Sequence, residues 1–402
     1  MKIKLITICF LLIGLFTCRL SSQETRRSPA SFDFDEKGMQ FIAPDSSTKV
    51  IMRFRIQNSI TLNTKSEEDF DIASSDLGVR RLRLRFGGFL YDPRLTFNLQ
   101  LSFARGDLDY EDTQYPNIIR DAMAFWAVSK NFQIGVGQTK LPGNRQRIVS
   151  SGDLQFAERS IVNSKFTLDR DFGIQTSYSN TILGMNYNLR AAVSTGDGRY
   201  APKMDGANFA YTGRVELLPF GKFTDGGDYF EGDLAYERTP KLSLAAAYSD
   251  NKKSSRTRGQ LGKKLYEPRD MTGAFADFVF KYNGFALYGE YANRRSKDPI
   301  TRDQNGNIQY VYVGDGYLLQ ASYIFHNHIE LAARLAIVAP QSKIYGLKDA
   351  EWNRNITLNS TYYLHSHRAK FQFEITHNTL ENKQTSVISK NWLFRFNTEI
   401  GI

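Results

Sequence analysis

Between Val79 and Phe103 the chain alternates with a period of two. Leu82, Leu84 and Phe86 interleave with Arg81, Arg83 and Arg85. Beyond a turn at Tyr91-Asp92-Pro93-Arg94, Leu95, Phe97, Leu99, Leu101 and Phe103 interleave with Thr96, Asn98, Gln100 and Ser102. Successive side chains of a strand point to opposite faces, so this is a hairpin with one apolar face and one polar, cationic face. Three guanidinium groups on one strand face cannot enter a dry core without partners. That face must meet water while the other must not. A sandwich with one exposed sheet face satisfies both demands, and so does a membrane barrel with hydrocarbon outside and a wet lumen inside.

The remaining chain favours the barrel. Residues 1–22 read as a secretory leader: Lys2 and Lys4, an apolar run from Leu5 to Phe16, then polar Ser21, Ser22 and Gln23. The run is shorter than the roughly 20 residues that a membrane helix needs. Cys9 and Cys18 both lie in this leader, so the mature chain has no thiol chemistry. Removing the leader takes the formal net charge from +10 to +7, because it holds Lys2, Lys4 and Arg19 and no acid. An exported basic chain rarely meets nucleic acid; a small anionic solute or anionic surface suits it better. The average is polar, yet there are 21 Tyr and 29 Phe. A polar average, many aromatics and period-two strands are the pattern of an outer-membrane barrel.

Residues 23–47 read as a flexible lead-in and 48–402 as the barrel. Strands are expected near 50–62, 79–90, 95–103, 121–128, 132–137, 171–178, 182–194, 207–218, 241–250, 271–282, 285–294, 315–325, 328–338, 353–364, 368–378 and 390–402. That is an all-β, antiparallel transmembrane barrel of about 16 strands. Short turns such as Asn283-Gly284 alternate with long loops once 219–240 is taken as one extended turn. An acidic loop is expected over Lys65–Asp76. With lipid outside, Trp126, Tyr178, Tyr323, Tyr362 and Trp392 fall where interfacial aromatics belong. Inward positions then carry thirteen basic against seven acidic side chains, among them Arg53, Arg55, Arg81, Arg83, Arg85, Arg190, Arg214 and Arg334. Rows of Arg select anions in pores.

Residues 140–170 lack periodicity and hold Lys140, Arg145, Arg147, Arg159, Lys165 and Arg170. A structureless connection of that length is usually functional. The motifs Arg80-Arg81-Leu82-Arg83-Leu84, Gly137-Gln138-Thr139-Lys140-Leu141-Pro142, Glu158-Arg159-Ser160, Asp169-Arg170-Asp171-Phe172-Gly173, Leu218-Pro219-Phe220-Gly221 and Gln320-Ala321-Ser322-Tyr323, the last followed by Glu330-Leu331-Ala332-Ala333-Arg334, span nearly the whole mature chain. In this order and spacing the chain resembles the phosphate-selective porin O and P family. The resemblance implies a homotrimer of 16-stranded channels in outer-membrane lipid. It also implies a third extracellular loop folded into the lumen, and Arg and Lys side chains that guide phosphate or polyphosphate inward. By the same likeness Lys140 sits in the constriction, with Arg81, Arg83 and Arg85 on the path. Two features depart from the pattern. Strict alternation from Ile134 and Val136 puts Lys140 on the lipid face unless the strand ends or bulges before it. The chain also ends in Ile402 rather than an aromatic residue.

Each functional reading has a plainer alternative. The arginine row could be a solvated or cross-strand-paired wall, and Lys140, Arg145, Arg147 and Arg159 an exposed loop. Arg214 with Glu216, and Arg334 with Glu330, read as wall ion pairs. His326/His328 and His365/His367 lie in short turns without a third metal ligand, and no cofactor motif or nucleophile–base pair stands out. The competing functions are a general, weakly anion-selective porin, a barrel enzyme, and an exported adhesive β-protein.

Overall fold

The computed structural model describes residues 30–35, 38–108, 116–199 and 208–402; the expected leader, 1–22, lies outside the described residues. A small hairpin comes first, β1 (Ser31–Asp35) and β2 (Gly38–Ile42). The wall then runs β3 (Lys49–Thr64), β4 (Ile72–Leu90), β5 (Asp92–Ser102), β6 (Ile119–Ala127), β7 (Phe132–Lys140), β8 (Arg170–Ile182), β9 (Met185–Ser194) and β10 (Ala210–Leu218). It continues β11 (Lys241–Arg256), β12 (Lys264–Tyr282), β13 (Phe285–Arg295), β16 (Gly314–Ile324), β17 (Ile329–Pro340), β18 (Trp352–His365), β19 (Ala369–Glu381) and β20 (Ile388–Gly401). β14 (Ile300–Arg302) and β15 (Ile308–Tyr310) form a hairpin within a loop. Each wall strand pairs antiparallel with the next, and β20 returns to β3 through Leu393↔Asn63 to Gly401↔Arg55, closing a 16-stranded barrel.

The faces sort as the alternation requires. On β17 to β19, Leu331, Leu335, Ile356, Leu358, Phe371 and Phe373 are exposed outward, whereas Arg334, Thr357, Gln372 and Glu374 are buried inward. Closure leaves no wall edge for hydrocarbon to meet, which is why a barrel can span a membrane. Several strands run further toward the long-loop side than their apolar periodicity: β4 begins at Ile72, so the acidic loop shrinks to 65–71, and β11 reaches Arg256. Above the hydrocarbon both faces are wet, and strand pairing no longer needs alternating apolar residues. The 31–42 hairpin lies in the stretch read as a flexible lead-in; Met39–Ile42 pair with Lys49–Met52 of β3.

Two segments fill half of the lumen. The third long loop, 141–169, carries two short helices, α1 (Arg145–Ile148) and α2 (Ile161–Phe166). Its Leu141, Val162, Phe166 and Leu168 pack on inward Phe275, Tyr288, Leu318 and Val338. Polar ties hold the rest: the Ala157 N–H donates to Glu374 (2.6 Å), Lys370 Nζ to the Leu154 carbonyl (2.7 Å), and Arg294 Nη1 to the Lys165 carbonyl (2.7 Å). From the short-turn side, residues 219–240 rise to meet this loop. The Glu231 N–H donates to the Asp153 carbonyl (2.8 Å), and Glu231 Oε2 accepts from the Gln155 N–H (3.0 Å). Open lumen remains along β3 to β9.

Within β7, Gly137 has a φ of +132° and no room for a side chain: a Cβ would lie 2.2 Å from the Ala122 carbonyl oxygen. Gly137→Ala should destabilise the barrel by about 1–3 kcal/mol, read as a lower unfolding temperature of the detergent-solubilised protein.

Candidate functional site

Two β-bulges shape the open side. In β4, Gln57 pairs with Arg81 and Asn58 with Val79, so Arg80 is an extra residue. In β6, Gln100 pairs with Asp121 and Leu101 with Ile119, so Arg120 is extra. A bulge breaks the alternation locally. Both extra arginines reach the lumen: Arg80 Nε lies 2.5 Å from Glu158 Oε1, and Arg120 Nη1 lies 3.0 Å from Asp107 Oδ1.

The open lumen consists of two cavities. The lower, on the short-turn side, has a volume of about 470 Å³ and is lined by eight cations (Arg83, Arg85, Arg120, Lys140, Arg147, Arg159, Arg170, Arg190) and two acids (Asp121, Asp153). The upper, about 660 Å³, is lined by nine arginines, including Arg80, Arg81, Arg199, Arg258 and Arg395, and by Asp76, Asp107, Glu158 and Asp169. Four residues line both cavities, and all four are arginines: Arg83, Arg120, Arg147 and Arg159. They form the neck.

The neck guanidiniums are held in place and remain in excess over acid. Arg83 donates to Asp107 (Nη2 2.5 Å, Nε 2.9 Å) and to Ser151 Oγ (2.7 Å). Arg147 pairs with Asp169. Arg159 donates to the Gln146 (2.6 Å) and Val149 (2.8 Å) carbonyls of its own loop. Burial, with Arg147, Arg81 and Arg170 close by, pulls the Arg159 pKa well down despite Glu158. A guanidinium stays charged even so.

The sequence-expected residues divide into two groups. Arg81 is buried against the Ala157 carbonyl (3.2 Å) and Glu158 (2.7 Å). Arg55 donates to Ser151 Oγ (2.7 Å) and, with Arg53, lines a small side cavity of about 90 Å³. Arg85 is exposed to the lumen and donates to Asn98 (2.8 Å). Arg190 donates to the Tyr229 hydroxyl (2.7 Å) at the lower cavity. Lys140 points inward, donating to the Ile148 carbonyl (2.8 Å), so the lipid-face register that strict alternation gives does not hold past Gly137.

Arg145 on the loop, and Arg214 and Arg334 on the wall, are buried and line neither lumen cavity, so they are not on the open path; the expected Arg214–Glu216 wall pair does form. Arg145 donates to Asp277 (2.5 Å) and the Asp228 carbonyl (2.8 Å), and Arg214 to Asp277 (2.7 Å) and Glu216 (2.7 Å). Arg334 donates to the Glu158 carbonyl (2.9 Å) and stacks over Phe156, while Glu330 accepts from Tyr363 instead (2.5 Å), so the Arg334–Glu330 pair does not form. These cations pin the loop. Sequence reasoning missed Arg80, Arg120 and Arg199; the Arg80-Arg81 and Arg120-Asp121 doublets were the available signal. The histidine pairs serve the turns: His326 stacks on Tyr236, and His367 bonds the Glu231 carbonyl (2.9 Å).

Two outcomes follow from these anchors. Arg145→Ala strands buried carboxylates and should cost about 3 kcal/mol, whereas Arg85→Ala should change stability by less than about 0.5 kcal/mol; unfolding in detergent measures both. Burial pushes the Glu158 carboxyl up, but Arg81 and Arg80 outweigh it and bring it from 4.5 to about 2. A depressed folded pKa contributes stability above the unfolded value that is lost as pH falls through the folded one. The grip of Glu158 on β4 should therefore persist at pH 4 and fail near pH 2, read as a drop in unfolding temperature that Glu158→Gln abolishes.

Comparison with known proteins agrees with this architecture. No curated protein matches the sequence. Among solved structures, the chain is similar to an anion-selective porin from Comamonas acidovorans (13% identity, 88% of this chain and 100% of that one, TM-score 0.53). It is similar also to the outer membrane channel DcaP of Acinetobacter baumannii (11%, 92% and 99%, TM-score 0.51). A third is OmpT of Vibrio cholerae in a trimer form (11%, 89% and 100%, TM-score 0.50). At these identities the likeness is one of fold. The family model of the phosphate-selective porins O and P matches residues 50–331, well over half the chain. The protein is a porin of the bacterial outer membrane and belongs to the phosphate-selective porin O and P family.

Proposed function

We propose that the barrel is a passive channel for small oxyanions, with inorganic phosphate or polyphosphate as the preferred class, and that it works as a homotrimer. The observation that carries this reading is the neck: every residue shared by the two cavities is an arginine. A guanidinium offers a planar fork of donors that matches two oxygens of phosphate or carboxylate, and it sheds water more readily than an ammonium. A cation meets an excess of like charge in both cavities and at the neck. An anion finds donors in the upper cavity, at the neck and in the lower cavity, so each step exchanges one set of partners for another. Such multi-site binding is what permits entry without trapping. The Comamonas structure, described as an anion-selective porin, and the trimer form of the Vibrio structure support the same reading. A channel of this family needs no nucleophile or cofactor.

The test is the chloride current of the purified porin in a planar bilayer, titrated with phosphate. Phosphate should reduce the current saturably, and Arg147→Ala or Arg159→Ala should raise the half-blocking concentration about tenfold, the loss of about 1.4 kcal/mol of binding. Chloride current unaffected by phosphate would leave a general porin without a phosphate site.

A further inference from the structure

Asp107 sits inside the neck. It closes a short turn, Arg105–Asp107, of the second long loop and is only 7% exposed. Its Oδ2 accepts from Arg83 Nε (2.9 Å), Arg83 Nη2 (2.5 Å) and Ser102 Oγ (2.7 Å), and its Oδ1 lies 3.0 Å from Arg120 Nη1. The donors and the acceptor have different origins. Arg83, Ser102 and Arg120 belong to the adjacent wall strands β4, β5 and β6, whereas the carboxylate arrives on a loop. The bulge that turns Arg120 inward is what brings two guanidiniums and a hydroxyl together. The wall therefore presents a preformed oxyanion fork, and the loop supplies an oxyanion to fill it.

We propose that Arg83, Arg120 and Ser102 form a discrete oxyanion site at the neck, and that the Asp107 carboxylate is its tethered occupant, which a permeating phosphate or carboxylate displaces. This rests on the anion-channel reading above. The backbone carbonyl of Asp107 accepts separately from Arg120 Nη1 (3.3 Å) and Arg199 Nη2 (3.2 Å), so the loop stays anchored when the carboxylate swings aside. A tethered competitor is present at high effective concentration and lowers the apparent affinity of the site for a free ligand. It also reoccupies the donors as the anion leaves, so that no empty pair of guanidiniums traps the next one. Burial pushes the Asp107 carboxyl up, but Arg83, Arg120 and Arg81 hold it well below the usual range. The exchange is set by anion concentration.

The experiment uses the full-length porin in planar bilayers, with chloride as carrier and inorganic phosphate as the titrant. Asp107→Asn and Asp107→Ala should each lower the half-blocking phosphate concentration about tenfold or more, with a smaller conductance at saturation. Adding Ser102→Ala to Asp107→Asn should raise that concentration again, because Ser102 then donates to phosphate. An unchanged or higher half-blocking concentration in both Asp107 variants overturns the proposal, as does a Ser102→Ala change without effect in the Asp107→Asn background. A wild-type channel that passes cations in preference to anions would instead overturn the functional reading itself, whatever the variants do.

Discussion

A guanidinium costs about 2–4 kcal/mol on the lipid face of a barrel at mid-membrane and little in a wet lumen. That asymmetry orients this wall. Because the side-chain period is two, a strand that puts Arg81, Arg83 and Arg85 in the lumen puts Leu82, Leu84 and Phe86 in hydrocarbon, and a slip of one residue would invert both sets. The closed sheet then satisfies its own backbone, and the interior is left to hold charge.

Inside, the cations perform two distinct tasks. On the β10 to β19 side, Arg145, Arg214, Arg294, Arg334 and Lys370 donate to buried carboxylates and to carbonyls of the third loop. They are held by these bonds, and their contribution is position. On the β3 to β9 side, guanidiniums outnumber carboxylates at the neck and face water-filled space. The first group fixes the loop that carries Arg147 and Arg159, and so the width of the gap across which those arginines face Arg83 and Arg120. The arrangement of arginines in one half of the lumen is thereby built on packing in the other.

The barrel was legible from the chain because hydrocarbon enforces alternation wherever it touches a strand. Where that contact ends, so does the signal: the extension of β4 to Ile72 and of β11 to Arg256 lies in water on both faces. Arg80 and Arg120 were missed because a bulge depends on register against the neighbouring strand, which a single strand does not encode. Arg145, Arg214 and Arg334 were read as path residues because periodicity shows which side chains face inward but not which of them a folded loop covers. Yet β12 carries Phe275 and Val279 inward as well as Phe278 and Phe280 outward, and apolar residues on both faces mark a wall covered from within. Lys140 reaches inward to a carbonyl of the third loop, a tertiary contact that periodicity alone does not reveal.

If outward grease and inward guanidinium describe this wall, the permeation path carries fixed positive charge from mouth to mouth. The most direct measurement is the zero-current potential of the wild-type channel across a tenfold potassium chloride gradient. The account predicts the sign of chloride permeation at low ionic strength, weakening as salt screens the arginines. A potential of the opposite sign, that of a potassium-selective pore, would contradict it.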